Sequence, residues 1–155
     1  ARDFRFIART RLGWTQTDEL RELPALYRFF AGGDQSVRGY GYQSLGPRVC
    51  EDGTSADSGC GGGASFNIGG EALLSAGAEV EYTYLEEWRF LRKWGVAAFY
   101  DSGNAFEDLS GDLESGAGVG LRWLSPIGPI RADVAWALTE PGTPLRFHLT
   151  VGPDL

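Results

Sequence analysis

With 155 residues, 43% of them hydrophobic and 13% aromatic, the chain has the length and apolar content of one folded domain. A formal net charge of −7 argues against nucleic acid, because phosphate binding needs Lys and Arg clustered on one face. No apolar run approaches the roughly 20 residues of a transmembrane helix, since Arg, Asp, Glu or Gly interrupts every candidate, so any membrane crossing is made by strands.

In chain order, residues 4–14 come first. Phe4, Phe6, Ala8, Leu12 and Trp14 alternate with Arg5, Arg9 and Arg11. A period of two marks a strand, because successive side chains point to opposite faces. Ala1-Arg2-Asp3-Phe4 carries no initiator Met and lacks the charged-then-apolar pattern of a signal peptide, which reads as a processed chain or a piece of a longer one. With the strand at about 1–16, residues 17–67 are expected to form one long loop. No period persists there, and Ala31-Gly32-Gly33, Gly39, Gly41 and the run from Gly59 to Gly63 punctuate it. A loop of that length in a compact protein is functional or disordered.

Cys50 and Cys60 flank a polar stretch of the loop and have neither CxxC spacing nor a nearby His. They read as a disulfide formed in an oxidising compartment, which stabilises so short a loop by about 3 kcal/mol or less. Two free thiols in a mobile loop are the alternative. Glu51, Asp52 and Asp57 lack the ordered spacing of a calcium loop.

Residues 68–155 are expected to hold five more strands. Between Glu71 and Tyr84 one face reads Glu71, Leu73, Ser75, Gly77, Glu79, Glu81, Thr83 and the other Ala72, Leu74, Ala76, Ala78, Val80, Tyr82, Tyr84. In 94–101, Trp94, Val96, Ala98 and Tyr100 share a face. In 116–124, Gly116, Gly118, Gly120 and Arg122 oppose Ala117, Val119, Leu121 and Trp123. In 130–138, Arg131 and Asp133 oppose Ile130, Ala132, Val134, Trp136 and Leu138, and in 145–151, Arg146, His148 and Thr150 oppose Leu145, Phe147, Leu149 and Val151. Ser125-Pro126-Ile127-Gly128-Pro129 and Thr139-Glu140-Pro141-Gly142-Thr143-Pro144 are compact connectors whose prolines cannot extend a ladder.

Six alternating strands fit two architectures. A soluble β-sandwich that binds a ligand or partner buries its large apolar residues between sheets, whereas a membrane barrel turns them to lipid and keeps charged or small residues in the lumen. Aromatics near the ends of the apolar faces, Trp14, Tyr82, Tyr84, Trp94, Tyr100, Trp123 and Trp136, suit interfacial girdles. Arg5, Arg9, Arg11, Glu79, Glu81, Asp101, Arg122, Arg131 and Asp133 are the charged lumen candidates, and together these features favour an all-β, antiparallel transmembrane barrel.

Within the loop, Arg28-Phe29-Phe30-Ala31-Gly32-Gly33-Asp34-Gln35-Ser36-Val37-Arg38-Gly39-Tyr40 closely resembles the sixth-loop motif of the BamA and TamA superfamily of outer-membrane assembly barrels. Phe99-Tyr100-Asp101-Ser102-Gly103, the stretch from Gly118 to Pro129, and the terminal Val151-Gly152-Pro153-Asp154-Leu155 agree in family order. The resemblance implies the last six strands of a sixteen-stranded barrel, with the extracellular loop folded back into the lumen. Residues 85–93 and 125–129 then become periplasmic turns, and the C-terminus faces the periplasm. The final Gly-Pro-Asp-Leu is similar to TamA, and the cysteine pair to BamA.

The resemblance further implies a factor that inserts or exports outer-membrane or autotransporter clients, TamA-like with BamA as the alternative, and a TamB-like inner-membrane partner reached through other domains. Val37, Arg38, Gly39 and Tyr40 are its loop-locking motif, with Arg38 bridging Glu81 and Asp101 on the lumen wall. A guanidinium presents a planar fork suited to that role. Phe147, Leu149, Val151 and Gly152 belong to a short closing strand, a weak seam where client strands enter by β-augmentation. No cofactor or metal is expected, and no enzyme. The single His148 has no sequence argument for a nucleophile beside it, and one His with scattered acids makes neither a triad nor a zinc site.

Overall fold

A computed structural model describes residues 2–17, 19–56, 60–61, 63–84, 94–107, 111–125 and 128–152. Six long strands, β1 (Arg2–Trp14), β4 (Ala72–Tyr84), β5 (Trp94–Phe106), β6 (Glu114–Ser125), β7 (Gly128–Ala137) and β8 (Leu145–Val151), form one antiparallel sheet in the order β1-β4-β5-β6-β7-β8. Between β1 and β4 the chain makes a 3₁₀ turn at Ala25–Tyr27 and a two-stranded hairpin, β2 (Arg48–Cys50) with β3 (Ser65–Asn67). Among the described residues no helix is long and apolar enough to cross a membrane, which says nothing of a crossing by strands. At about 3.3 Å per residue, 12 or 13 residues reach about 40 Å, enough for a tilted crossing of a core about 30 Å thick.

The strands form where alternation placed them, with two differences. β5 runs five residues past 101 because its register with β4 continues to Ala72↔Phe106 through Ser102-Gly103-Asn104, which carry no apolar period. The hairpin inside the loop was not expected, since three-residue strands are too short for a pattern. Residues 85–93, 126–127 and 153–155, which hold the expected periplasmic turns and the last residues of the terminal motif, lie outside the described residues, as do Asp57 and Gly59.

The two faces of the sheet are inverted relative to a soluble protein. Phe6 and Leu12 are 77% and 78% exposed, whereas Glu79, Asp101 and Asp133 are 2%, 3% and 5% exposed. Register explains the outer face. Val80, Ala98, Val119, Val134 and Phe147 lie in one row across five strands, and Tyr82, Val96, Leu121, Ala132 and Leu149 in the next. Tyr100, Ala117 and Trp136 bound this band on one side. On the other, Trp94 and Trp123 stack at 5.3 Å. A mainly aliphatic band edged by aromatic residues is the lipid-facing surface of a barrel wall. A sandwich would cover that face with a second sheet, and nothing among the described residues does. The chain is an all-β, partial barrel.

Candidate functional site: an ion-pair lock on the inner wall

The long loop lies on the polar face. At its neck Arg28 gathers three carbonyl oxygens, donating to Leu23 at 2.7 Å, Arg21 at 3.0 Å and Ile68 at 3.1 Å. Farther in, residues 31–45 close into a lobe by a bridge between Ala31 and Leu45. Gly32 N–H donates to Ser36 Oγ at 2.8 Å inside the lobe. Ala31, Val37, Tyr40 and Leu45 then pack on Ala105 and Ala137 of the wall, a small apolar core that places the motif. Cys50 and Cys60 are joined as a disulfide and tie the hairpin region separately.

From that lobe Arg38 points into the wall. Its Nε and Nη2 donate to Asp101 at 2.6 and 3.0 Å, its backbone N–H to the same carboxylate at 3.3 Å, and its Nη1 to Glu79 at 2.8 Å and Asp133 at 3.4 Å. The guanidinium carbon sits 3.5 Å from the centroid of the Phe99 ring, a cation–π contact. Burial works against a charge on Arg38. The hydrogen bonds and charge of Asp101, and then of Glu79, outweigh it and hold the group above its already high ordinary pKa.

The sequence placed Arg38 against Asp101 and Glu81, and for the second the structure substitutes Glu79. Glu81 instead pairs with Arg5 at 3.0 Å and Arg122 at 3.2 Å. Glu79 is the hub, bonded to Arg38, to Arg9 at 3.0 Å, to Arg131 at 3.5 Å and closely to Arg122. Arg122 also holds Asp133, so β4, β5, β6 and β7 all contribute charges to one network.

Glycines make room for it. A Cβ at Gly116 would overlap the carbonyl oxygen of Arg38, one at Gly118 the Phe99 ring and the Val134 carbonyl, and one at Gly120 the Asp133 carboxylate. The alternation of Gly116, Gly118 and Gly120 was visible in the sequence, but what fills their groove was not. In the motif, Gly39 has φ +102°, and a Cβ there would stand 2.8 Å from the carbonyl carbon of Trp136. Tyr40 donates to Glu114 at 2.8 Å and shares a 2.7 Å hydrogen bond with Thr139. Its burial is the largest reason the phenol is held above its ordinary pKa, with Thr139 opposing and Glu114 adding. Val37 is fully buried. Phe99, Glu114, Asp133 and Thr139 complete the site and were not assigned to it from sequence.

Chemically the arrangement fixes a loop. Its carboxylates are met by guanidiniums, and among the described residues no group of three His, Cys, Asp or Glu is placed to hold a metal. The expected seam residues Phe147, Leu149 and Val151 lie on β8 with their side chains exposed, and Gly152 follows, its N–H donating to Pro129 at 2.9 Å.

Known proteins share this arrangement of strands. The assembly factor BamA of Nitratidesulfovibrio vulgaris is 29% identical over 139 residues, covering 85% of this chain and 15% of the relative. BamA of Neisseria meningitidis serogroup B is 29% identical, covering 77% of this chain and 17% of its own length. The chain thus spans about a sixth of the curated relatives it matches. The crystal structure of Haemophilus ducreyi BamA lacking POTRA domains 1–3 superposes with a TM-score of 0.72 at 22% identity, covering 96% of this chain and 31% of that one, and so shares its fold. Residues 1–154 match the profile described as the Omp85 superfamily domain, and the chain belongs to that superfamily, as a barrel fragment of the BamA and TamA type.

Proposed function

We propose that this chain is the loop-bearing wall of a bacterial outer-membrane barrel that inserts or exports other outer-membrane proteins through a lateral gate, without chemical catalysis. The observation that carries the reading is the inward lobe held by Arg38 on a wall whose opposite face is an apolar, aromatic-edged band. In this reading residues 1–16 are a strand, 17–67 the extracellular loop and 68–155 the last five strands of sixteen. The C-terminus faces the periplasm. The chain's seam strand is β8, 7 residues long against 10 to 13 in its neighbours. A short strand exchanges hydrogen bonds with an incoming client strand at low cost.

The clients follow one of two patterns. The loop disulfide and the BamA relatives support a general assembly factor. The ending Gly-Pro-Asp-Leu supports the TamA-like pattern, with autotransporter clients and a TamB-like partner. The test is reconstitution of the full-length protein in liposomes with an unfolded barrel client and, separately, an autotransporter. Faster client insertion than in empty liposomes is expected. No acceleration from a folded, membrane-inserted protein would overturn the reading.

A further inference from the structure

The inward side chains of β8 all meet the lobe. Arg146 Nη1 lies 3.6 Å from where a Cβ on Gly41 would stand. Gly39 N–H donates to Nε2 of His148 at 3.5 Å, and Thr150 Oγ1 donates to Asp34 at 3.5 Å. A cleft of about 310 Å³ lined by Gly33, Asp34, Tyr40, Tyr42, Arg146 and His148 opens beside these contacts, so the ring is within reach of water and protons. Among the described strands β8 pairs with β7, and the lobe adds contacts along its inward face.

We propose that His148 is the positioning residue that couples the locking loop to the terminal strand, and that protonation of its ring releases the coupling. The inference rests on the reading of β8 as a seam strand. Its physical basis is the acceptor. A neutral imidazole with its proton on Nδ1 accepts at Nε2, whereas the imidazolium has two donors and no acceptor, so Gly39 N–H would face another N–H. Gly39 lies close against the Trp136 backbone, where an added Cβ would stand 2.8 Å from the carbonyl carbon. The charges that face the ring are Asp34 and Arg38 of the lobe, Asp133 of β7 and Arg146 of β8, two of each sign. The Arg38 guanidinium keeps its charge throughout, since its pKa lies above an already high ordinary value. Mild acid therefore frees the Asp34–Gln35 tip of the lobe from β8 while the Arg38 end stays docked on the wall.

A spin label on Gln35→Cys in the full-length protein reads this motion. Gln35 is exposed, the two cysteines of this chain are joined in the disulfide, and any cysteine elsewhere in the protein is first replaced by Ser. Between pH 8 and pH 5, a range that spans the ordinary histidine pKa of about 6.5, the mobile fraction of the label should rise several-fold and reversibly. His148→Gln, whose amide oxygen accepts at every pH, should stay immobile throughout, and His148→Leu should be mobile at both ends. An unchanged wild-type spectrum, a His148→Gln protein that keeps the pH response, or a His148→Leu protein as rigid as wild type at pH 8 overturns the proposal. The readout is loop motion, so a protein that passes this test and fails to insert clients counts against the assembly reading alone.

Discussion

The guanidinium of Arg38 lies over the ring of Phe99, 3.5 Å from its centroid, while Asp101, two residues along the same face of β5, takes its Nε and Nη2. One strand thus supplies both an aromatic face and a carboxylate for the same cation. Phe99→Leu keeps an apolar, buried side chain and removes the ring quadrupole, which should weaken loop docking by about 1–2 kcal/mol. In the full-length protein in detergent, protease cleavage of the loop should then be about 5–30 times faster. An unchanged rate means the ring acts only as packing.

Glu79 and Glu81 separate the observed lock from the one expected from sequence. Glu79 is almost fully buried and bonds four arginines, so Glu79→Gln should cost about 3–5 kcal/mol of loop docking, as for breaking a buried pair. Glu81 pairs with Arg122 and with Arg5, whose side chain is 67% exposed, and Glu81→Gln should cost under about 1 kcal/mol. The same protease assay, run on both variants, decides between them. Equal sensitivity would return Glu81 to the lock.

Why the sequence reached Asp101 and missed Glu79 is a matter of height along the strand. Alternation tells which face a residue occupies, and Glu79, Glu81 and Asp101 all face inward. It does not give register. Asp101 pairs with Gly77, so Glu79 is one diagonal step away and Glu81 two. A diagonal neighbour is about 7–8 Å off, within the span of one guanidinium fork, and the next is not. The same limit hid Asp133 and Glu114, which reach the lobe only through the pairings of β6 with β5 and β7. The six long strands were legible because each buries one chemistry and exposes another over many residues. The β2–β3 hairpin was not, because its strands offer three residues each.

Gly116 tests the groove. Its added Cβ would collide with the carbonyl oxygen of Arg38, a rigid backbone atom, so Gly116→Ala should push the lobe off the wall and expose the loop to protease. Gly41→Ala is the control, since its nearest neighbours lie at 3.5 Å, ordinary contact distance. Both variants should retain the heat-modifiable migration of a folded barrel. If Gly116→Ala leaves the loop as protected as Gly41→Ala does, the approach of the Arg38 backbone is not what holds the lobe.

Cys50 and Cys60 lie apart from the lock, so the two devices should fail independently. Reducing the disulfide, or replacing both residues by Ser, should loosen the hairpin region by about 3 kcal/mol or less on the loop-entropy argument. Cleavage near the hairpin should accelerate while cleavage near Arg38 stays at the wild-type rate. Alkylation with and without reductant, followed by mass measurement, checks that the bond was present. Acceleration at both sites would join the hairpin to the lock.

Tyr40 gives the alkaline limit of docking. Its hydroxyl donates to the Glu114 carboxylate, so Tyr40→Phe should cost about 1.5–3 kcal/mol, the range for a hydrogen bond to a charged group. The phenol's pKa is raised in the folded state, chiefly by burial, so folding favours its neutral form. That contribution is complete below the unfolded value of about 10 and disappears as pH rises through the higher folded value. Loop protection in the wild type should therefore fall through that alkaline range, beyond any decline shared with the variant. Tyr40→Phe should start from weaker protection at pH 8 and lack the added fall. Parallel curves for the two proteins would mean that the alkaline loss belongs to other groups, and that the Tyr40 hydroxyl does not hold the motif to β6.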